Sequence, residues 1–331
     1  MSKKNIMVIG AGQLGSRHLQ GLAKSEEPFT IAVVDPNTSN LEVAINRFKE
    51  IAGYERHDLF SYKSLQEIPN LILDVVIIAT NADVRAMITK QMVELFEVRN
   101  IIFEKVAFQS ENQFLEIIEL LQTKKIKSWV NCPRRHFPFY QYLKEYLSDK
   151  GPISMEVNGV DWGLACNAVH QIDLLAFLSG ETRFQVVENL LHEKIYQSKR
   201  QNFIEFYGSF SGKSISGNHF KLSCEVKKDD GDKPFLTHQI SIQGETILIK
   251  ESQGVSEFYK EDAKIPYRTE EVKMMYQSGL TNLQVKQILD TGLSHLPTLE
   301  ESFEIHKPLL SVLNEQYFKI LGKRINELPI T

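Results

Sequence analysis

Apolar positions set the rhythm of this chain. Ile6-Met7-Val8-Ile9 is a compact apolar run that ends in glycine, and the stretch after it has the apolar spacing of an amphipathic helix. The same alternation recurs. Runs at 5–9, 30–34, 73–79, 100–104 and 127–132 predict strands, and stretches at 13–24, 38–52, 83–96 and 110–123 predict helices, with an ill-defined edge segment near 57–62. Leu73-Asp74-Val75-Val76-Ile77-Ile78-Ala79 is nearly continuous Val and Ile, as a parallel strand covered on both faces requires. The succession predicts a doubly wound, mostly parallel sheet whose glycine loop lies at the carboxyl edge.

After about residue 133 the rhythm changes. Helical patterns cover 137–148 and 167–179, among strand-like runs at 152–160, 184–196, 202–211, 214–226, 236–243 and 245–250. Several alternate in polarity, with hairpin turns expected at Phe210-Ser211-Gly212-Lys213 and Lys228-Asp229-Asp230-Gly231-Asp232, and the charged run 227–233 reads as a solvated loop. Helical segments near 270–291 and 298–321 close the chain, the last opened by a capping-box pair, Thr298 and Glu301. The prediction is an α/β chain: a Rossmann domain over 1–128, then an α+β domain over 129–331 with a large, mostly antiparallel open sheet. The C-terminal helices can pack back on the first domain, and a cleft is expected between the two.

Composition narrows the class. The chain has 331 residues, 42% hydrophobic and 24% charged, the balance of an ordinary globular protein. A formal net charge of −4 argues against nucleic acid as a partner. No apolar run reaches the roughly 18 residues of a membrane span. Met1-Ser2-Lys3-Lys4 leads straight into the first strand, so no signal peptide is expected. Cys132, Cys166 and Cys224 form no paired framework and read as reduced thiols of a cytoplasmic protein.

The chemistry begins at Gly10-Ala11-Gly12-Gln13-Leu14-Gly15. In a G-x-G-x-x-G turn between strand and helix, the first glycine allows the turn, the second lets the backbone approach a pyrophosphate, and the third lets helix and strand pack closely. The helix N-terminus, with Gln13 and Leu14, offers N–H groups to phosphate. Asp35 ends the second strand 20 residues after Gly15, where a carboxylate accepts hydrogen bonds from an adenosine ribose. A carboxylate there repels a 2′-phosphate, which favours NAD over NADP, although Arg47 can approach in space.

In four pieces the chain resembles the Gfo/Idh/MocA oxidoreductases over nearly its whole length. They are the glycine loop extended by Ser16-Arg17-His18; Ala79-Thr80-Asn81, where the family has Ala-Thr-Pro; Glu104-Lys105-Val106, where it has Glu-Lys-Pro; and His170-Gln171-Ile172-Asp173, like its His-x-x-Asp segment. The resemblance implies a dinucleotide domain followed by an α/β domain with a large open sheet, through which members form dimers or tetramers. It implies NAD- or NADP-dependent oxidation of a secondary alcohol on a sugar, cyclitol or sugar nucleotide. Thr80, Asn81, Glu104 and Lys105 would then contribute to the cofactor site.

Oxidising an alcohol requires a proton acceptor and a group that stabilises the developing alkoxide. Lys105, directly after a buried strand, suits the second role. Histidine is the side chain whose ordinary pKa lies near neutrality, so His170 suits the first, with Asp173 three residues on to orient it. The resemblance also implies an Asp four residues before the histidine, but Cys166 stands there, beside Asn167. Cys166 and His170 form an i, i+4 pair with no further ligand in sight, so no metal is expected. Arg134 and Arg135 suit an anionic substrate group, and Trp162 can stack on a sugar face.

The leading expectation is thus an NAD-dependent dehydrogenase of a sugar-like small molecule. Two alternatives stand beside it: a non-catalytic dinucleotide-binding regulator on the same fold, and an NAD-retaining glycosidase or epimerase.

Overall fold

The computed structural model describes residues 3–227 and 235–331. The chain forms two compact units. The first comprises the chain to Phe108 together with Asn112–Pro133 and Met275–Glu300; the second comprises Gln109–Glu111, Arg134–Met274 and Glu301–Thr331.

In the first unit six parallel strands are β1 (Lys4–Ile9), β2 (Phe29–Val34), β3 (Asp58–Tyr62), β4 (Val75–Ile78), β5 (Asn100–Phe103) and β6 (Lys127–Val130). Their order is β3-β2-β1-β4-β5-β6, the doubly wound arrangement with its switch point between β1 and β4. All four residues of β4 are buried, as the Val-Ile run required. Between the strands lie α1 (Gln13–Ala23), α2 (Thr38–Lys49), α3 (Ala82–Leu95) and α4 (Glu111–Thr123). Helix α2 starts where Asn37 accepts the N–H groups of Ser39 and Asn40 through its side chain. Ile6, Val8, Ile31, Val33, Val75 and Ile77 form the core with Leu19 and Leu22 of α1. Each such side chain, fully buried, stabilises the unit by about 1.5–3 kcal/mol.

The second unit carries an eight-stranded sheet. In chain order its strands are β7 (Ser154–Val160), β8 (Gln185–Leu191), β9 (Gly208–Lys213), β10 (His219–Glu225), β11 (Phe235–Ile242), β12 (Glu245–Lys250), β13 (Val255–Lys260) and β14 (Arg268–Glu271). The order is β8-β9-β10-β7-β11-β12-β13-β14, antiparallel throughout except for the central β10–β7 pair. Burial alternates along β7 and β10, so one face is covered and the other is not. Helices α5 (Pro138–Leu147) and α6 (Leu164–Ser179) lie in this unit. The chain closes with α7 (Thr281–Thr291) in the first unit and α8 (Leu299–Leu321), nearly all in the second.

Three expectations need correction. Phe210-Ser211-Gly212-Lys213 is not a turn but the end of β9, paired residue for residue with β10; the reversal comes at Ser214–Asn218, where Gly217 has a positive φ. The helical pattern expected from 270 starts only at Thr281, because Arg268–Glu271 is the polar edge strand β14. Strand β13 was not anticipated at all. The turn expected at Lys228–Asp232 lies outside the described residues.

Candidate active site

The glycine loop separates two kinds of glycine. Gly10 has φ +92°, and a Cβ on it would lie 2.9 Å from the Thr80 nitrogen. A Cβ on Gly15 would lie 1.8 Å from the Gly10 oxygen. Both positions require glycine for the fold alone. Gly12 does not: its φ is −62°, and its Cβ would meet nothing within 4 Å. It faces open space at the N-terminus of α1, where no side chain caps the helix. A glycine that neither packing nor backbone demands leaves room for an incoming group. The residues thus fit a dinucleotide pyrophosphate, with Gln13 exposed and Leu14 half-buried on the first turn.

A cleft of about 560 Å³ opens from this loop, lined among others by Gly12, Asp35, Asn40, Thr80, Asn81 and Met87. Asp35 ties the end of β2 to the loop. Its Oδ2 accepts the Ala11 N–H at 2.7 Å and its Oδ1 the Asn37 N–H at 2.8 Å. Arg47 donates to Gln13 Oε1 (2.9 Å) and Ser16 Oγ (2.7 Å), which places its guanidinium on the first turn of α1.

Lys105 follows β5 at the carboxyl edge. In the run 101–110 every residue is buried except Lys105, which is half-buried. The Lys105–Val106 peptide bond is cis, without a proline. Glu104 turns inward. Its Oε1 accepts from His18 Nε2 (2.8 Å) and from Asn131 Nδ2 (2.5 Å). Burial raises the Glu104 carboxyl, but hydrogen bonds and charge from His18, Asn131 and Lys105 more than offset this and hold it below its usual range. The network continues into 275–300. His18 Nδ1 lies 3.0 Å from Thr281 Oγ1, and Asn131 Oδ1 accepts from Gln284 Nε2 at 2.9 Å.

Arg85 was missed by sequence reasoning. It is buried on α3 and donates to the carbonyls of Thr80, Val106 and Ala107, tying the loop after β4 to the loop that carries Lys105. Its only sequence signal was a charged residue on the inward face of a predicted helix.

In the second unit, α6 buries every residue from Leu164 to Leu178 except Cys166, Asn167 and His170, which are half-buried on one face. Asp173 is 1% exposed and turned to Arg135, whose Nη2 lies 2.8 Å from Oδ1. Burial pushes the Asp173 carboxyl up, and Arg135 opposes that. Arg134 makes a bidentate pair with Glu251, 2.7 Å in both arms, and Tyr140 donates its hydroxyl to the same carboxylate at 2.6 Å. Both arginines read as anion binders therefore already hold buried carboxylates of the protein. Trp162 is buried and donates its indole N–H to the Ser223 carbonyl at 2.8 Å. Among the described residues no group of three or more His, Cys, Asp or Glu side chains can hold a metal ion. No helix among them is long and apolar enough to cross a membrane.

Comparison with known proteins agrees with this geometry. A family model described as an oxidoreductase family with an NAD-binding Rossmann fold matches residues 4–132. No curated protein sequence matches the chain. Among solved structures, UDP-N-acetylglucosamine 3-dehydrogenase GnnA from Acidithiobacillus ferrooxidans is similar at 16% identity and a TM-score of 0.71, covering 95% of this chain and 97% of that one. An oxidoreductase from Agrobacterium radiobacter, solved with NAD+, L-tartaric acid and magnesium, is similar at 13% identity and a TM-score of 0.73, covering 98% of each. A dehydrogenase (MviM) from Clostridium difficile is similar at 18% identity and a TM-score of 0.67, covering 95% of this chain and 100% of that one. At these identities the likeness is one of fold.

Proposed function

We propose, from the premise that the chain belongs through residues 4–132 to the Gfo/Idh/MocA oxidoreductases with an NAD-binding Rossmann fold, that it interconverts a secondary alcohol and a ketone on a sugar-like substrate. A sugar nucleotide is the favoured class, since a structurally similar protein is a UDP-N-acetylglucosamine 3-dehydrogenase. The observation that carries the reading is Lys105, the one residue to emerge from a buried run at the carboxyl edge of β5.

Bound NAD supplies a two-electron acceptor at its nicotinamide ring. The protein does the rest. Gly12 and the first turn of α1 would hold the pyrophosphate, and Asp35 would accept hydrogen bonds from the ribose hydroxyls. The Lys105 ammonium donates a hydrogen bond to the reacting oxygen and holds the charge that develops there. His170, on the half-buried face of α6, takes the hydroxyl proton. Asp173 fixes α6 through Arg135.

The test is turnover of a panel of UDP-sugars, free sugars and polyols, followed by nicotinamide absorbance. The expected result is activity on at least one, which Lys105→Ala lowers by about 100-fold or more while NADH still binds in a fluorescence titration. Absence of turnover throughout the panel, or a Lys105→Ala variant as active as the wild type, would overturn the proposal and favour a regulator that binds NAD without using it.

A further inference from the structure

Helix α6 carries Cys166, Asn167 and His170, yet what holds its first turn lies elsewhere in the chain. Gly163 precedes the helix with φ 76° and ψ 69° and has no side chain to cap it. The cap comes from Glu205, at the end of the short strand Ile204–Glu205, which pairs with Tyr196–Gln197. Glu205 is 5% exposed. Its Oε1 accepts the Ala165 N–H and the Phe206 N–H.

The second oxygen faces a different way. A Cβ on Gly163 would lie 3.1 Å from Asn167 Nδ2, 3.3 Å from Cys166 Sγ and 3.4 Å from Glu205 Oε2. Amide, thiol and carboxylate thus converge on the space that Gly163 leaves, one turn before His170. A negative charge at a helix N-terminus is favoured by the helix dipole, and Glu205 places its carboxyl there. The same charge reaches a second thiol. Burial pushes Cys224 up to about 11; the backbone N–H of Trp162 opposes this, and the Glu205 charge adds to it.

We propose that Glu205 is the positioning residue of this site: it brings from a neighbouring strand the carboxylate charge that position 166, a cysteine, does not provide on the helix. Acting through α6, it fixes the turn that presents His170 and stabilises the imidazolium formed when His170 takes the substrate hydroxyl proton. The inference rests on the function proposed above for His170.

Glu205→Gln separates charge from cap, because a glutamine oxygen still accepts the Ala165 N–H. The first readout needs no substrate: iodoacetamide alkylation of full-length protein at pH 8, mapped by mass spectrometry. Cys166 is half-buried, whereas Cys132 and Cys224 are buried and serve as controls. Loss of the neighbouring anion raises the thiolate fraction of Cys166, and its alkylation accelerates about threefold or more while Cys224 stays unreactive. On the substrate identified by the panel, kcat falls about tenfold with KM and NADH affinity within twofold. The double variant Glu205→Gln/Cys166→Asp, which returns the charge from the helix, restores kcat.

Unchanged Cys166 alkylation in folded Glu205→Gln overturns the proposal. So does Cys224 reacting together with Cys166, which marks a frayed helix and a cap alone. If Glu205→Gln does not fold, the double variant decides: folding regained supports the charge, and folding still lost overturns it. A wild type that oxidises nothing in the panel sinks the proposed function, while the alkylation result still decides where the charge lies.

Discussion

His18 and Glu104 are joined, Nε2 to Oε1 at 2.8 Å, across 86 residues of sequence. Both are buried, His18 completely. The contact runs from the second turn of the helix that begins at the glycine loop to the residue just before Lys105. It therefore links the helix that follows the glycine loop, through one hydrogen bond, to the neighbour of Lys105, the residue proposed to hold the charge that develops on the reacting oxygen.

Removing the imidazole tests that link. His18→Leu leaves the Glu104 carboxylate buried with one donor fewer, which costs about 1.5–3 kcal/mol. His18→Gln, which can still donate an N–H toward Glu104, recovers part of that. Urea unfolding of the three proteins at neutral pH checks the order: wild type most stable, His18→Gln between, His18→Leu least. Equal midpoints for His18→Leu and the wild type would mean that the hydrogen bond contributes nothing net.

Gly12 and Gly15 should respond in opposite ways to the same methyl group. Gly15→Ala drives a Cβ into the Gly10 carbonyl, and so destabilises by about 3 kcal/mol or more through forced backbone movement. Gly12→Ala meets no protein atom, so the thermal midpoint stays within a few degrees of the wild type, while NADH affinity falls about tenfold or more as the methyl occupies the space left for the pyrophosphate. Thermal unfolding and an NADH fluorescence titration on both variants check this. Unchanged NADH affinity in Gly12→Ala would move the cofactor away from the loop.

What was legible in the sequence was local. The glycine spacing, the Val-Ile run of β4 and the alternation along β7 and β10 each express a rule that acts within one element. What was not legible was the fate of charge. Arg134 and Arg135 read as free guanidiniums, but their partners, Glu251 and Asp173, lie 117 and 38 residues away. Nothing in a turn rich in arginine reveals whether it faces a substrate or a buried carboxylate. Arg85 and Glu205 were passed over for the same reason, since each acts on backbone groups of a distant loop or helix. Strand β14 was read as helix because Arg-Thr-Glu-Glu on an exposed edge has no apolar alternation to betray it.

Asp35 makes a prediction about cofactor choice. Its carboxylate lines the cleft and is held in place by the Ala11 N–H. A 2′-phosphate brought there meets that charge, so NADH should bind about tenfold or more tighter than NADPH. Asp35→Asn keeps an oxygen for Ala11 but removes the charge, and the preference narrows. Paired titrations of both nucleotides on both proteins check it. Equal affinities in the wild type would show that Arg47, on the first turn of α1, compensates for the carboxylate.

His238 sets a pH dependence of stability. It is fully buried on β11, its Nε2 lies 2.7 Å from Gln171 Oε1, and burial drives the imidazole down to about 4; Glu251 pulls it up and Arg134 pushes it down, both more weakly. At pH 7 the imidazole is neutral in the folded chain and mostly neutral in the unfolded one, so little proton is taken up on unfolding. As pH falls below about 6.5 the unfolded chain takes up a proton that the folded one refuses. Stability therefore declines down to about pH 4, by about 3 kcal/mol in total for this group. Glu251 acts lower: its carboxyl is held below its usual range by Arg134 and Tyr140 against the effect of burial, so the stability it gives is lost only as pH falls under about 4.5. Burial also lowers His57, which therefore adds a loss of stability of the same sign on acidification, so the measurement has to be a difference. Urea unfolding of wild type and His238→Gln between pH 7 and 4.5 supplies it. The variant starts less stable at pH 7, having lost a shaped core side chain, and loses about 2 kcal/mol less on acidification. Parallel pH profiles for the two proteins would show that His238 does not resist protonation in the folded state.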